Sequence, residues 1–217
     1  KRQRFDYYPF KILKKKFQEV RVIYDMRGAS GPEYLNSKGY TTINDVKESS
    51  IRNKYWKLIN RESSMIELSD ITFCVSQNLK YYLKNGDYNL NTSRVFVIPG
   101  AADQGTFYFD PLLRERKRSK LNLGKYFIII YSGGLKNFYQ KKELVFEFAS
   151  KFLRKHSNSY FICLTKDIDM VPELAQKYHI STEKMLFSFT DDPLEVNAYL
   201  NASDMGILLR DSILTNE

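Results

Sequence analysis

Tyr126-Phe127-Ile128-Ile129-Ile130-Tyr131-Ser132-Gly133-Gly134 is the stretch that decides the fold. Its first six residues run apolar with no polar residue alternating between them. That is the pattern of a strand buried on both faces, and such strands belong to parallel sheets with helices on each side. Ser132-Gly133-Gly134 breaks the run. An amphipathic helix is expected over 141–155, where Leu144, Phe148 and Phe152 recur at spacing four. Strands then read at 160–165, 185–189 and 205–209. Helices fall between them at 171–178, with Pro172 near its first turn, and at 193–202.

The first half repeats the alternation. A strand at 20–24 ends at Asp25-Met26-Arg27-Gly28, and a loop rich in Gly, Ser and Pro is expected after it. Ile51, Tyr55, Trp56, Ile59, Met65 and Ile66 set a long helix over 45–69. A strand follows at 71–75, then a helix over 77–84 capped by Ser76 and stopped by Asn85-Gly86. A strand at 94–98 ends at Pro99-Gly100, and Pro111 opens a basic helix over 111–120. The fold class expected is therefore α/β, with two Rossmann-like parallel-sheet domains. The boundaries expected are 1–107 for the first domain, 108–125 for a linker and basic helix, and 126–217 for the second. With about three and four strands, each domain reads as incomplete, and the chain reads as a fragment lacking both ends.

Composition excludes several classes. The 217 residues are 43% hydrophobic and 15% aromatic, with 10 Gly and 6 Pro, which is neither a disordered chain nor a collagen-like repeat. The 2 Cys, Cys74 and Cys163, lie apart inside apolar runs and read as buried thiols in a reducing compartment rather than a disulfide or zinc framework. No apolar run approaches the roughly 18 residues of a membrane span, and no secretory segment opens the chain. A cytoplasmic protein is expected.

Charge is unevenly divided. The chain carries net +9, yet residues 1–125 hold 24 Lys and Arg against 13 Asp and Glu, and the remainder hold 10 against 12. The excess gathers in Lys11-Ile12-Leu13-Lys14-Lys15-Lys16-Phe17, beside Lys1, Arg2 and Arg4, and in Arg114-Glu115-Arg116-Lys117-Arg118-Ser119-Lys120. Either cluster reads as a solvated helix face or as a surface for a polyanion. Phe5, Tyr7, Tyr8 and Phe10 accompany the first cluster. Rings beside ammonium groups suit an anionic membrane face, and equally single-stranded nucleic acid; composition does not separate the two.

Catalytic signatures are sparse. The 2 His, His156 and His179, sit at helix ends, and no nucleophile elbow, zinc-protease helix, Walker loop or dinucleotide glycine fingerprint is present. Asp167-Ile168-Asp169 has the spacing of an Asp-x-Asp metal motif, with only Lys166 as context; no metal is expected. The strongest signal is Ser132-Gly133-Gly134 at the carboxyl end of a strand. There glycines let backbone approach a phosphate, a helix N-terminus adds its dipole, and Lys136, Lys141 and Lys142 add charge.

Five segments together resemble the family-4 retaining glycosyltransferases of the GT-B fold. Val22-Ile23-Tyr24-Asp25-Met26-Arg27-Gly28 is similar to the family's strand ending in an acidic residue and Arg-Gly. Asp70-Ile71-Thr72-Phe73-Cys74-Val75-Ser76 resembles its strand before a short helix. Val95-Phe96-Val97-Ile98-Pro99-Gly100-Ala101-Ala102-Asp103, with Phe107, resembles its domain-crossing segment, although Gly100 and Ala101 replace the usual Asn and Gly. Tyr131-Ser132-Gly133-Gly134-Leu135 through Lys141, and Tyr199-Leu200-Asn201-Ala202-Ser203-Asp204-Met205-Gly206, are similar to its donor-domain segments.

The resemblance implies transfer of a sugar from a nucleotide-sugar donor, with retention, to a lipid-linked or saccharide acceptor. The setting it implies is bacterial surface polysaccharide, such as capsule or lipopolysaccharide. It implies donor and phosphate binding by Gly133, Gly134, Lys136, Lys141 and Lys142, base contact by Phe189 and Thr190, and an acceptor-side cleft at Asp25, Arg27 and Gly28. Lys141 matches the family's phosphate-contacting Lys, but Lys142 stands where a Gly usually follows, and Lys136 replaces an Arg as a point charge only. The catalytic carboxylate is expected beyond residue 217. No cofactor is expected. The protein is expected in the cytoplasm, and a peripheral place at the inner membrane face is compatible with its charge. Nucleic acid is not the favoured partner. Two alternatives remain: a non-enzymatic nucleic-acid-binding protein, and another GT-B enzyme such as a nucleotide-sugar epimerase.

Overall fold

The computed structural model describes residues 7–17, 19–137 and 139–210, which divide into two compact units at Ala101/Ala102. Lys1, Arg2, Arg4, Phe5 and the stretch 211–217 lie outside the described residues.

The first unit runs α1 (Tyr7–Lys16), β1 (Ile23–Met26), α2 (Ser30–Asn36), α3 (Ser49–Leu68), β2 (Ile71–Cys74), α4 (Gln77–Asn85) and β3 (Val95–Val97). Its three strands are parallel in the order β1-β2-β3, with Ile23 opposite Ile71 and Thr72 opposite Val95. Met26, Leu35, Tyr55, Ile59, Ile66, Cys74, Leu83 and Val95 form the core. Asp70, just ahead of β2, ties the entry to β1: its carboxylate accepts the Val22 amide at 2.7 Å and the Lys14 ammonium of α1 at 2.7 Å.

The loop expected after Gly28 is instead the helix α2. Sequence reading misses it because its N-terminus is satisfied from a distance. Glu62 of α3 accepts the Ser30 amide at 3.0 and 3.1 Å and the Ser30 hydroxyl, so no local capping residue is needed. Pro32 is harmless in a first turn. Gly31 has a clear purpose, since a Cβ there would meet the Ile59 side chain at 2.6 Å.

The second unit runs α5 (Pro111–Lys120), β4 (Phe127–Ser132), α6 (Lys142–Lys155), β5 (Ser159–Leu164), α7 (Val171–Lys177), β6 (Met185–Ser188), α8 (Pro193–Ala202) and β7 (Met205–Ile207). The sheet is parallel throughout, in the order β6-β5-β4-β7. That is half of a doubly wound sheet, with the winding reversing between β4 and β7. The apolar run of β4 is explained by its two faces. Ile129 and Tyr131 join Val145, Phe146, Phe161 and Cys163 in one core, while Ile128 and Ile130 join Leu123, Ile162, Leu164 and Tyr199 in the other. Each such side chain contributes on the order of 1.5–3 kcal/mol by burial. Both cysteines are free thiols with no exposure.

The segment 108–125, expected as a linker and basic helix, belongs to the second unit, with the helix in place. Asp110 caps α5 through the Leu112 amide at 2.8 Å, and Pro111 takes the first helical position. The basic residues of α5 then turn inward onto α8 and β7. Arg114 donates to the carbonyls of Asn201 at 2.9 Å and Ser203 at 2.7 Å and pairs with Asp204. Arg118 donates to the Ala202 carbonyl at 2.8 Å and lies 3.2 Å from Asp204. Lys117, only 5% exposed, pairs with Glu195 and lies 3.6 Å from the centre of the Tyr199 ring. Much of this basic cluster is structural.

Candidate nucleotide site

The turn after β4 is shaped by hydrogen bonds from three directions. The Gly133 amide donates to the Leu164 carbonyl at 3.0 Å, continuing the β4–β5 ladder by one residue. The Tyr131 hydroxyl, buried beneath the turn, donates to the Gly134 carbonyl at 3.1 Å; burial pushes its pKa up to about 12, so it stays protonated. Asp167, after β5, accepts the amides of Leu135 at 2.7 Å and Lys136 at 3.0 Å on a single oxygen. The turn is close-packed at Gly134: a Cβ there would stand 3.0 Å from the side-chain Nδ2 of Asn137, which would have to shift.

Above this turn lies an open pocket of about 210 Å³ at the carboxyl ends of β4, β5 and β6. Ser132, Gly133, Gly134, Leu164, Thr165, Lys166, Phe189, Thr190 and Val196 line it. The floor is backbone and small side chains, and Phe189 offers a half-exposed ring. Thr190 and Asp192 organise the far wall: the Thr190 hydroxyl accepts the Asp192 amide at 3.1 Å, and Asp192 caps α8 through the Leu194 amide at 3.0 Å. Such a pocket suits a flat ring against Phe189 and a polar group against the glycine backbone.

Four residues named from sequence therefore meet in one place: Gly133, Gly134, Phe189 and Thr190. Three lysines do not line the pocket. Lys136 is held by Asp169 at 2.9 Å, with Asp167 at 3.9 Å. The hydrogen bond that Lys136 donates to Asp169 raises the Lys136 pKa, and the same contact lowers that of Asp169. The two aspartates of the Asp-x-Asp spacing thus serve the turn. Lys141 precedes α6, its amide bonded to the Leu209 carbonyl at 3.1 Å, and Lys142 is the first helical residue; both are half-buried. Neither α6 nor α3 carries a side-chain cap, whereas Ser76, Asp110 and Asp192 cap α4, α5 and α8.

Thr165 and Lys166 line the pocket but are absent from the set named from sequence. They sit at the end of β5, one strand over from the glycines, and the rule that ligands gather at carboxyl ends of parallel strands would have found them. In the first unit, Asp25 lies in β1, and Arg27 and Gly28 follow directly at its carboxyl end. The Arg27 Nε donates to Asp25 at 2.7 Å with both side chains exposed, and a Cβ on Gly28 would overlap the Glu33 carboxylate. His179 adopts a left-handed conformation at φ 54°, ending α7, and His156 packs at a tilt against Phe152 with ring centres 4.5 Å apart.

No family model matches this chain, and no curated protein matches it. Solved structures do. HepE from Anabaena in complex with UDP matches with TM-score 0.66 at 9% identity, over 93% of this chain and 50% of that one. WaaG, a glycosyltransferase involved in lipopolysaccharide biosynthesis, matches with TM-score 0.66 at 15% identity, over 93% and 56%. The fold is of the GT-B type. A putative UDP-N-acetylglucosamine 2-epimerase from Listeria monocytogenes also matches, with TM-score 0.50 at 14% identity, over 92% and 54%. The chain spans about half the length of these structures. Within the GT-B type, the second unit here is the one with the glycine turn, and the first carries the Asp25-Arg27-Gly28 segment.

Proposed function

We propose that this chain carries the sugar-transfer machinery of a nucleotide-sugar-dependent glycosyltransferase. The second unit takes the donor and the first takes the acceptor. The observation that carries the reading is the pocket at the ends of β4, β5 and β6, where a bare glycine turn, Thr165, Thr190 and the Phe189 ring converge. A nucleoside fits this lining: the base against Phe189, hydroxyl groups against the threonines, and the diphosphate toward the α6 N-terminus with Lys141 and Lys142. That HepE was solved with UDP, and WaaG acts in lipopolysaccharide biosynthesis, supports the same reading.

The finer points rest on resemblance: retention of configuration, a lipid-linked or saccharide acceptor, a role in surface polysaccharide, and no metal requirement. A helix dipole and lysines offset diphosphate charge without a divalent ion in such a design. Among the described residues no helix is long and apolar enough to cross a membrane. A cytoplasmic protein touching the bilayer through α1 fits this and the exposed Lys11, Ile12, Lys15, Lys16 and Phe17.

The nucleic-acid reading is weakened by α5, whose Arg114, Lys117 and Arg118 are committed inside the second unit. The epimerase reading calls for a His and carboxylates at the donor, and among the described residues none lines the pocket. Titration calorimetry of the full-length protein with UDP, GDP and a generic oligonucleotide tests the proposal. Micromolar binding of one nucleoside diphosphate, unaffected by the oligonucleotide, is the expected result; oligonucleotide binding alone would overturn it.

A further inference from the structure

We propose that Asp167 is a positioning residue, whose buried carboxylate sets the shape of the 133–137 turn and so of the nucleotide pocket in front of it. The inference rests on the reading of that pocket given above. Asp167 does not line the pocket; it lies behind the turn, 5% exposed. One oxygen accepts two consecutive amides, Leu135 and Lys136, at 2.7 and 3.0 Å. A buried carboxylate is tolerated only with such donors, and charge makes each bond stronger than a neutral one. The turn packs directly on this oxygen, since a Cβ on Gly134 would stand 3.4 Å from it.

Asp167 also joins two walls of the pocket. Its own amide donates to the Thr165 hydroxyl at 3.2 Å, and the Thr165 amide donates to the Ser188 carbonyl at 2.9 Å. The end of β6, the end of β5 and the glycine turn are thereby linked in series. The remaining charge is balanced by Lys136, 3.9 Å away and itself held by Asp169. Two amides that would otherwise be available to an anion become supports for the turn. Gly133 and Gly134 are left as a preformed wall for the ligand, which lowers the ordering cost of binding.

The test uses the full-length protein, wild type against Asp167→Ala and Asp167→Asn. It measures UDP and GDP affinity by calorimetry and amide hydrogen exchange at Leu135 and Lys136. Asp167→Ala is expected to weaken nucleotide binding about tenfold and to speed exchange at both amides, with global melting accounted for separately. Asp167→Asn, which keeps the size and one acceptor oxygen, is expected to lose about threefold, and it guards against an alanine variant that does not fold. Nucleotide affinity within about twofold of wild type in both variants would overturn the inference. If the wild type binds neither nucleotide, the functional reading fails instead. Exchange at the two amides then decides alone whether Asp167 holds the turn.

Discussion

The two units share a device and use it with different force. Each has a basic helix ahead of its first strand, and each has an aspartate placed just before a later strand that reaches back to that first strand. In the first unit, Asp70 takes the Val22 amide and Lys14, with Arg21 3.7 Å away. In the second, Asp204 takes the Ile128 amide at 2.7 Å together with Arg114 and Arg118. The difference is what the helix does with its charge. α5 commits three basic side chains inside the unit, and two of them form several bonds through planar guanidinium groups. α1 commits Lys14 and leaves Lys11, Lys15 and Lys16 exposed. Two clusters that look alike in sequence thus differ in kind, one a structural clamp and the other a surface.

Removing the aspartates sharpens that contrast and should give the largest effect. Asp204→Ala strips the Ile128 amide of its acceptor and two largely buried guanidinium groups of their carboxylate partner, leaving them only carbonyl acceptors. About 2–4 kcal/mol of second-unit stability should be lost. Asp70→Ala should cost the first unit clearly less, because one ammonium and one amide lose their partner there and water can replace it. Chemical denaturation monitored separately in each unit checks this, and equal losses would break the comparison. Acid should act in the same direction. Burial raises the Asp204 pKa, but the Ile128 amide and the two arginines outweigh it and hold the carboxyl below its usual value. Asp70 is held low by Lys14 first and by the Val22 amide. A depressed folded pKa means stability that is present above the unfolded value, about 4, and is lost as pH falls through the folded one.

The second prediction asks whether ligand binding is as one-sided as the pocket suggests. Lys141→Ala in the full-length protein should weaken nucleoside diphosphate binding about tenfold to a hundredfold, as the loss of a charge-assisted contact of roughly 1.5–3 kcal/mol. Arg27→Ala in the first unit should leave that affinity unchanged. If Lys141 is silent, Lys142 is the next residue to test, because the missing Gly leaves the register open by one.

How much of this is legible in sequence follows from where the determining contacts lie. The β4 strand, the cap at Ser76, and the helices 111–120 and 193–202 are set by neighbours a few residues away, and they read directly. Gly133 and Gly134 are legible because a parallel sheet delivers all its strand ends to one side, whereas Phe189 and Thr190 are reached only through the family resemblance. What stays hidden depends on distant partners. α2 is capped by Glu62, 32 residues away. The internal role of Arg114 and Arg118 depends on Asp204, 90 and 86 residues on. In sequence Asp167 reads as half of a metal motif, because its two amide donors lie 31 and 32 residues upstream.

Glu62 offers a third, smaller test with the opposite pH sign. Burial raises its pKa, against hydrogen bonds from Ser30 and Tyr88 that lower it. The folded first unit therefore holds this proton more tightly than the unfolded chain. Stability from this group is fully present below the unfolded value, about 4, and is lost as pH rises through the folded one. First-unit stability should accordingly increase as pH is lowered through the folded value toward the unfolded one, with a slope of at most about 1.4 kcal/mol per pH step of one. Glu62→Gln should flatten that slope. Denaturant titrations at about pH 5, 6 and 7 read both units, and a slope that survives Glu62→Gln would assign it elsewhere.

The smallest effect is the one that tests whether α1 is a surface in use. Exposed lysines near an anionic bilayer contribute on the order of 1 kcal/mol each, and the attraction fades within a Debye length, about 8 Å at physiological salt. Lys11, Lys15 and Lys16 stand exposed on α1, with Ile12 and Phe17 more than half exposed beside them. Apolar side chains next to ammonium groups match the layered chemistry of a lipid interface. On α5, Arg116 and Lys120 are exposed too, but their basic neighbours Arg114, Lys117 and Arg118 have internal partners. The full-length protein should therefore co-sediment with liposomes containing phosphatidylglycerol at low salt, more weakly at high salt, and not with neutral liposomes. Replacing Lys11, Lys15 and Lys16 by Ala should abolish most of that binding, whereas replacing Arg116 and Lys120 should change it little. Loss of binding from the α5 pair, or binding that ignores salt and lipid charge, would mean that the two basic helices do not differ in the way their partners imply.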